Sequence, residues 1–297
     1  MRWLQAVEHL RSGRLPGVLV TLTSVRGHAP RAAGAKMVVG ARQTWDTVGG
    51  GNLEAVAVER ARAMLAQGRT LPETFTASLS ERAPSRHGVQ CCGGEVGVLL
   101  EPLPVTPVVA IFGMGHVGHE LARILARQDL DLHLVDTRPE QLSAQMLAPL
   151  ADADARVHAH PVPVLPELVL GELPAGTHVL VMTHDHAEDA AILDAALRTG
   201  GLGPVGLIGS SAKWARLRHR LLTVGGLGEE EVARVTTPIG LPQLRGGDPA
   251  TIAVSVAADL LLRLVGPAPA VAVEAPAVVP GEAGEAGESG AATAGPP

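Results

Sequence analysis

Several short stretches of this chain combine residue types able to hold a charged ligand. The first is Val109-Ala-Ile-Phe-Gly113-Met-Gly115-His116-Val-Gly118, which leaves an apolar run and enters a helical pattern. In a strand-turn-helix of this kind Gly113 permits the tight turn, Gly115 lets backbone approach a phosphate, and Gly118 lets the helix pack closely on the sheet. The new helix offers an anion its unpaired N–H groups and the positive end of its dipole. Asp136 follows 23 residues after Gly113, where a carboxylate accepting ribose hydroxyls belongs. Close helix–sheet packing alone would ask for the same glycines.

Thr183-His184-Asp185-His186 ends another apolar run. Ligands of open parallel sheets sit beyond the C-terminal strand ends, so these side chains should face the same crevice as Gly113. Two imidazoles flanking a carboxylate can hydrogen-bond a cofactor edge, exchange protons or cap a helix. Without further ligands at metal spacing they do not specify a metal centre. Ser210, in Gly209-Ser210-Ser211, either contacts the same ligand or caps the helix that follows.

A second glycine turn, Gly49-Gly50-Gly51-Asn52-Leu53-Glu54, also leads into a helical pattern. It could present bare amides to an anion, with Asn52 and Glu54 reaching a heterocycle, or be a flexible turn capped by Asn52. Upstream, the glycine and proline loop 27–36 carries Arg31 and Lys36. Gln90-Cys91-Cys92-Gly93-Gly94 places two thiols side by side, with Arg86 and His87 near enough in sequence to favour thiolate. Thiolates suit molybdenum, copper or a sulfur donor, whereas two buried cysteines would be inert.

Two units must position these groups. Strand patterns at 16–24, 36–40, 44–48 and 96–100 and a helical pattern at 52–67 give the first an α+β character. Prolines 102, 104 and 107 make a stiff connector. Apolar runs at 108–112, 132–135, 179–182 and 205–208 then alternate with helical patterns at 116–127, 187–198 and 212–222, and a last helix spans 249–264. Strands of that kind are covered on both faces, which predicts a parallel, Rossmann-like sheet. The stretch 147–174, with five prolines, has no assigned element. The Pro, Ala, Gly and Glu-rich tail 266–297 is expected to be disordered.

Composition narrows the function. With 297 residues, 46% hydrophobic and a net charge of −6, the chain is not held to nucleic acid by bulk charge. Two Phe, three Trp and no Tyr leave little for stacking bases. No apolar run reaches a membrane span, the N-terminus reads as an amphipathic helix, and two adjacent cysteines exclude a disulfide framework. A cytoplasmic protein is expected.

Together these stretches resemble the XdhC/CoxI family, the xanthine dehydrogenase accessory proteins. The resemblance rests on GHAPRAAGAKMVV (27–39), VGGGNLE (48–54), QCCGG (90–94), IFGMGHVG (111–118), VDTR (135–138), MTHDH (182–186), GLIGSSAK (206–213), TPIGL (237–241) and DPATIAVSV (248–256), in family order across roughly 1–265. It implies an α/β protein with a small XdhC/CoxI domain at 1–100 and a Rossmann-like domain at 107–265. Family members are understood to bind molybdenum cofactor, shelter it during sulfuration by a cysteine desulfurase and deliver it to apo-xanthine dehydrogenase. They tend to be homo-oligomers, and the role implies no turnover chemistry. CoxI-type members usually have Cys at the position of Asn52, so that thiol's role does not carry over. A receptor for a phosphate-ended pterin wants a glycine cradle, polar groups for the heterocycle and a sheltered metal, which the two glycine turns, the His-Asp-His loop and the thiols could supply from either side of an interdomain cleft. Two other functions use the same Rossmann unit: an oxidoreductase using NAD(P), with Asp136 on the ribose or Arg138 on a 2′-phosphate, and a nucleotide-sensing scaffold.

Overall fold

The computed structural model describes residues 1–79, 93–244 and 246–265. The paired cysteines and the tail lie outside the described residues. The chain opens with helix α1 (Trp3–Ser12), then strands β1 (Gly17–Arg26), β2 (Lys36–Gly40) and β3 (Thr44–Asp46), helix α2 (Gly51–Ala66), and strands β4 (Glu73–Ser78) and β5 (Glu95–Leu103). These strands form an antiparallel sheet in the order β3-β2-β1-β5-β4. Leu53, Ala57, Ala61 and Met64 recur at helical spacing and bury one stripe of α2 against Val18, Val20, Val96 and Val98. Ala6 and Leu10 of α1 cover the other side of β2 at Val38.

The second sheet is parallel throughout. Its elements are β6 (Val108–Phe112), α3 (His116–Leu125), β7 (Asp131–Asp136), α4 (Ala144–Leu147), β8 (Arg156–Pro161), β9 (His178–Val181), α5 (His186–Arg198), β10 (Val205–Leu207), α6 (Ser211–Thr223), α7 (Glu229–Val232), β11 (Val235–Thr236) and α8 (Pro249–Val265). Strand order is β11-β10-β9-β6-β7-β8. The chain therefore winds outward from β6 through β7 and β8, then returns to the other side of β6 and winds outward again. The reversal falls between β6 and β9, and that is where open α/β sheets leave a crevice. All five residues of β6 are buried because helices cover both faces, α3 and α8 on one side and α5 and α6 on the other. Burial of Phe112 alone is worth about 2–3 kcal/mol.

The proline-rich stretch without an assigned element supplies β8 and a 3-10 helix, Pro166–Glu172. Its prolines disguise a strand that tolerates them because it lies at the sheet edge. There His133 of β7 pairs in register with His158, their rings stacked 4.5 Å apart, and His133 Nδ1 lies 2.9 Å from His160 Nε2. Burial, with the neighbouring imidazoles and Arg14, pushes His133 down from 6.5 to about 4. An unfolded chain thus takes up a proton at this residue near pH 6.5 that the folded chain refuses until near pH 4. Stability is lost as pH falls through that window. Urea midpoints of a His133→Gln variant should decline less steeply there than those of the parent; parallel curves would contradict the assignment.

The two sheets join end to end. β5 continues to Leu103, so the connector is only 104–107, shorter than its prolines imply. Arg14 donates to Asp131 Oδ2 at 2.8 Å and to the Thr106 carbonyl at 2.7 Å, and Arg11 pairs with Asp129. Asp131 begins β7 and Thr106 precedes β6. The first domain is docked on the N-terminal edge of the parallel sheet.

Candidate functional site

Gly113, Gly115 and Gly118 carry three different loads. Gly113 has φ +106°, and a Cβ there would lie 2.5 Å from the Met182 carbonyl oxygen. A Cβ on Gly118 would lie 2.3 Å from the Gly113 carbonyl oxygen, which places the start of α3 hard against the end of β6. A Cβ on Gly115 would meet nothing within 4 Å. Gly115 is also the N-cap of α3, and no side chain caps it. The first-turn amides of α3, beside the switch point, therefore have neither intrahelical partners nor a side-chain cap. His116 and His119 line a neighbouring cavity of about 500 Å³ with Arg123, Met146 and Asp248.

Asp136 does not sit as a free ribose acceptor. Its side chain is buried and fully engaged: the Met114 amide donates to Oδ2 at 2.6 Å, and Arg138 donates its own amide and Nε to Oδ1 and Nη2 to Oδ2 at 2.8–2.9 Å. Burial works to raise this carboxyl, but the bonds from Arg138 and Met114 prevail and hold it below the usual carboxylate range. The acid expected to recognise a dinucleotide braces the glycine turn and pairs with Arg138 in this structure.

The His-Asp-His loop reaches the same strand ends. Asp185 is the N-cap of α5 and accepts from the Ala187 amide at 2.6 Å. That bond lowers its carboxyl. His184 and His186 are exposed at the mouth. Glu188, one turn on, accepts from the Thr137 hydroxyl at 3.1 Å, and burial on the crevice wall pushes its carboxyl up. Ser210 caps α6 by accepting from the Lys213 amide, and it lines a second cavity of about 670 Å³ with Gly209, Gly240 and Leu241.

Beneath both loops lies a pair that the sequence did not single out. Lys213 Nζ is 2.6 Å from Asp189 Oδ2 and donates to the Ile208 carbonyl at 3.1 Å. Asp189 is wholly buried; its Oδ1 accepts from the Thr183 amide and hydroxyl. The pair ties the ends of β9 and β10 together. Its signal in the sequence was a lone lysine beside strand ends in a chain with only two lysines.

In the first domain the glycine turn is differently built from either expectation. The N-cap of α2 is Gly50, with φ +73°, not Asn52. Glu54 folds back: its Oε2 accepts from the Gly50 amide at 3.2 Å and from the Thr47 hydroxyl, while Thr47 Oγ1 accepts from the Gly49 amide at 3.1 Å. Two amides proposed for an anion are thereby satisfied internally, and one Glu54 oxygen is engaged within its own turn. Gly49 touches the upstream loop, since a Cβ there would lie 2.5 Å from Pro30 Cγ. Gly51 and Asn52 begin α2 beside them. Gly27 abuts Gly94 across the ends of β1 and β5. These turns gather at the end of the antiparallel sheet away from the connector, whereas Gly113, Asp136 and His184 gather beyond the far end of the parallel one. Among the described residues the two sets do not meet at one sheet end. Cys91 and Cys92 lie outside the described residues. Among the described residues no cluster of His, Cys, Asp or Glu is placed to hold a metal, and no helix is long and apolar enough to cross a membrane.

Residues 109–260 match the family model described as the XdhC Rossmann domain, and residues 10–76 match that of the XdhC and CoxI family. Two proteins of Escherichia coli (strain K12) are similar. The uncharacterized protein YqeB is 25% identical over 85% of this chain and 44% of its own length. The molybdenum cofactor insertion chaperone PaoD is 29% identical over 86% of this chain and 85% of its own. The chain thus spans less than half of YqeB. A solved structure from Bacillus halodurans, named a xanthine dehydrogenase, aligns over 89% of this chain and 96% of its own at 21% identity and a TM-score of 0.44.

Proposed function

Because this chain belongs to the XdhC family, its Rossmann-domain match covering residues 109–260, we propose that it is an accessory protein that holds molybdenum cofactor and inserts it into a molybdoenzyme of the xanthine dehydrogenase type. Similarity to the insertion chaperone PaoD supports this reading over most of both chains. The observation that carries it is the uncapped start of α3 at Gly115, opening onto free space at the switch point. A phosphate at the end of a pterin suits those amides and the dipole behind them. Arg138, about a third exposed at 31%, adds a guanidinium beside the turn.

In this function the chain binds and releases and transforms nothing itself. His184 and His186 stand at the mouth as donors for a heterocycle, and Ser210 is within the neighbouring cavity. Shelter during sulfuration, delivery by a cysteine desulfurase of the sulfur, and a role for Cys91 or Cys92 in accepting it belong to the same proposal.

A Gly115→Glu variant tests it. A Cβ there meets nothing within 4 Å, so folding should be little changed while a carboxylate at the helix start repels the phosphate. Cofactor retained through gel filtration, measured as molybdenum per chain, should fall about tenfold or more. Retention equal to the parent would remove α3 from the binding site.

A further inference from the structure

Resting on the carrier function above, we propose that Glu188 is the residue that selects the cargo. Its carboxylate accepts two hydrogen bonds from the neighbouring amino and ring N–H groups of a 2-amino-4-oxopyrimidine edge, which pterins and guanine share. Topology puts Glu188 at the switch point. Thr137 follows β7, Glu188 lies in the first turn of α5 after β9, and β6 runs between those two strands. The Thr137 hydroxyl donates to Glu188 Oε2 at 3.1 Å. The two residues thus close a gap of two strand spacings, about 10 Å, across the end of β6, where the glycine turn begins. Thr137 also stands between Asp136, which accepts from the Met114 amide of that turn, and Arg138. Glu188 is therefore tied to the segment that braces the start of α3.

The other carboxylates at these strand ends are committed. Asp136 has both oxygens taken by Met114 and Arg138, Asp189 pairs with Lys213, and Asp185 caps α5. Glu188 holds one hydroxyl on Oε2, and among the described residues no donor of the chain reaches Oε1. Burial pushes its carboxyl up, with Asp136 and Asp185 adding to the push and the Thr137 bond and His184 opposing it. A half-buried carboxylate so placed is short of donors, and because it only accepts, its ligand must donate. Two adjacent N–H groups match its two oxygens, as a guanidinium fork does. Adenine and cytosine set an acceptor beside their amino group, so one oxygen would face a lone pair. A phosphate-ended ligand with the two-donor edge has partners both in the amides of α3 and in Glu188.

Calorimetric titration of the full chain with a pterin phosphate (neopterin monophosphate), GMP and AMP tests this. The parent should bind the pterin phosphate, GMP or both at least about tenfold more tightly than AMP. Glu188→Gln still accepts from Thr137 but turns an amide toward the ligand, and it should erase that preference while leaving AMP, held by its phosphate, as before. The tighter of the two preferred ligands tells a pterin from a guanine nucleotide as the source of the edge. A parent without the preference, a variant that keeps it, or a variant weakened equally toward all three ligands would overturn the proposal. Molybdenum per chain is read separately. A parent that shows the preference but retains no molybdenum cofactor ends the carrier function and leaves Glu188 its role; a parent that retains cofactor while Glu188→Gln keeps the preference does the reverse.

Discussion

Lys213→Met is expected to destabilise the chain by about 3–5 kcal/mol. Asp189 is fully buried and Lys213 only 12% exposed, so removing the ammonium leaves a carboxylate with no counter-charge in a dry site. The loss should appear as a lowered urea midpoint. The paired replacement Lys213→Met with Asp189→Leu should regain most of that stability, since well-packed apolar groups replace a buried ion pair at little cost. It should not regain ligand binding, because Thr183 would have lost the acceptor that fixes its amide and hydroxyl, and with it the His184 loop. A single variant within 1 kcal/mol of the parent would mean that Lys213 reaches water and holds nothing, on an order-of-magnitude scale where exposed pairs contribute about 0–1 kcal/mol.

Gly118→Ala should cost about 3 kcal/mol, and Gly115→Ala less than about 1 kcal/mol. Both replacements add one methyl to the same turn. At Gly118 that methyl would lie 2.3 Å from a backbone oxygen, so α3 must lift off β6 and drag Leu121 and Leu125 from the core. At Gly115 it enters empty space. Thermal unfolding of the two variants side by side decides the matter. Equal losses would show that Gly115 is packed, and the open cradle would have to be abandoned.

The parallel sheet was legible because its cause is local: near-continuous apolar runs at β6, β7, β9 and β10 mark strands covered on both faces, and the glycine triplet marks the first turn. β4 and β11 escaped notice for opposite reasons. β4 alternates half-buried and exposed residues and so shows no apolar run, and β11 is two residues long. The site was less legible than the fold. Position 136 had the acid that a dinucleotide site would have, yet two residues later stands Arg138, and a guanidinium that close can close on the carboxylate itself. Glu54 likewise sits at the distance from Gly50 that lets a carboxylate cap its own helix. Whether a polar group meets a ligand or its own chain depends on rotamers and burial, which spacing alone does not carry. The docking of the first domain on the N-terminal edge was invisible because Arg14 and Asp131 are 117 residues apart.

The Asp136–Arg138 fork also bears on how firmly any guest is held. A phosphate that draws the guanidinium to itself strips an interior carboxylate of its main partner, so only the difference between the two attachments is left as affinity. In the proposed carrier function such a seat would favour brief tenancy, because the resident acid competes for the same arginine.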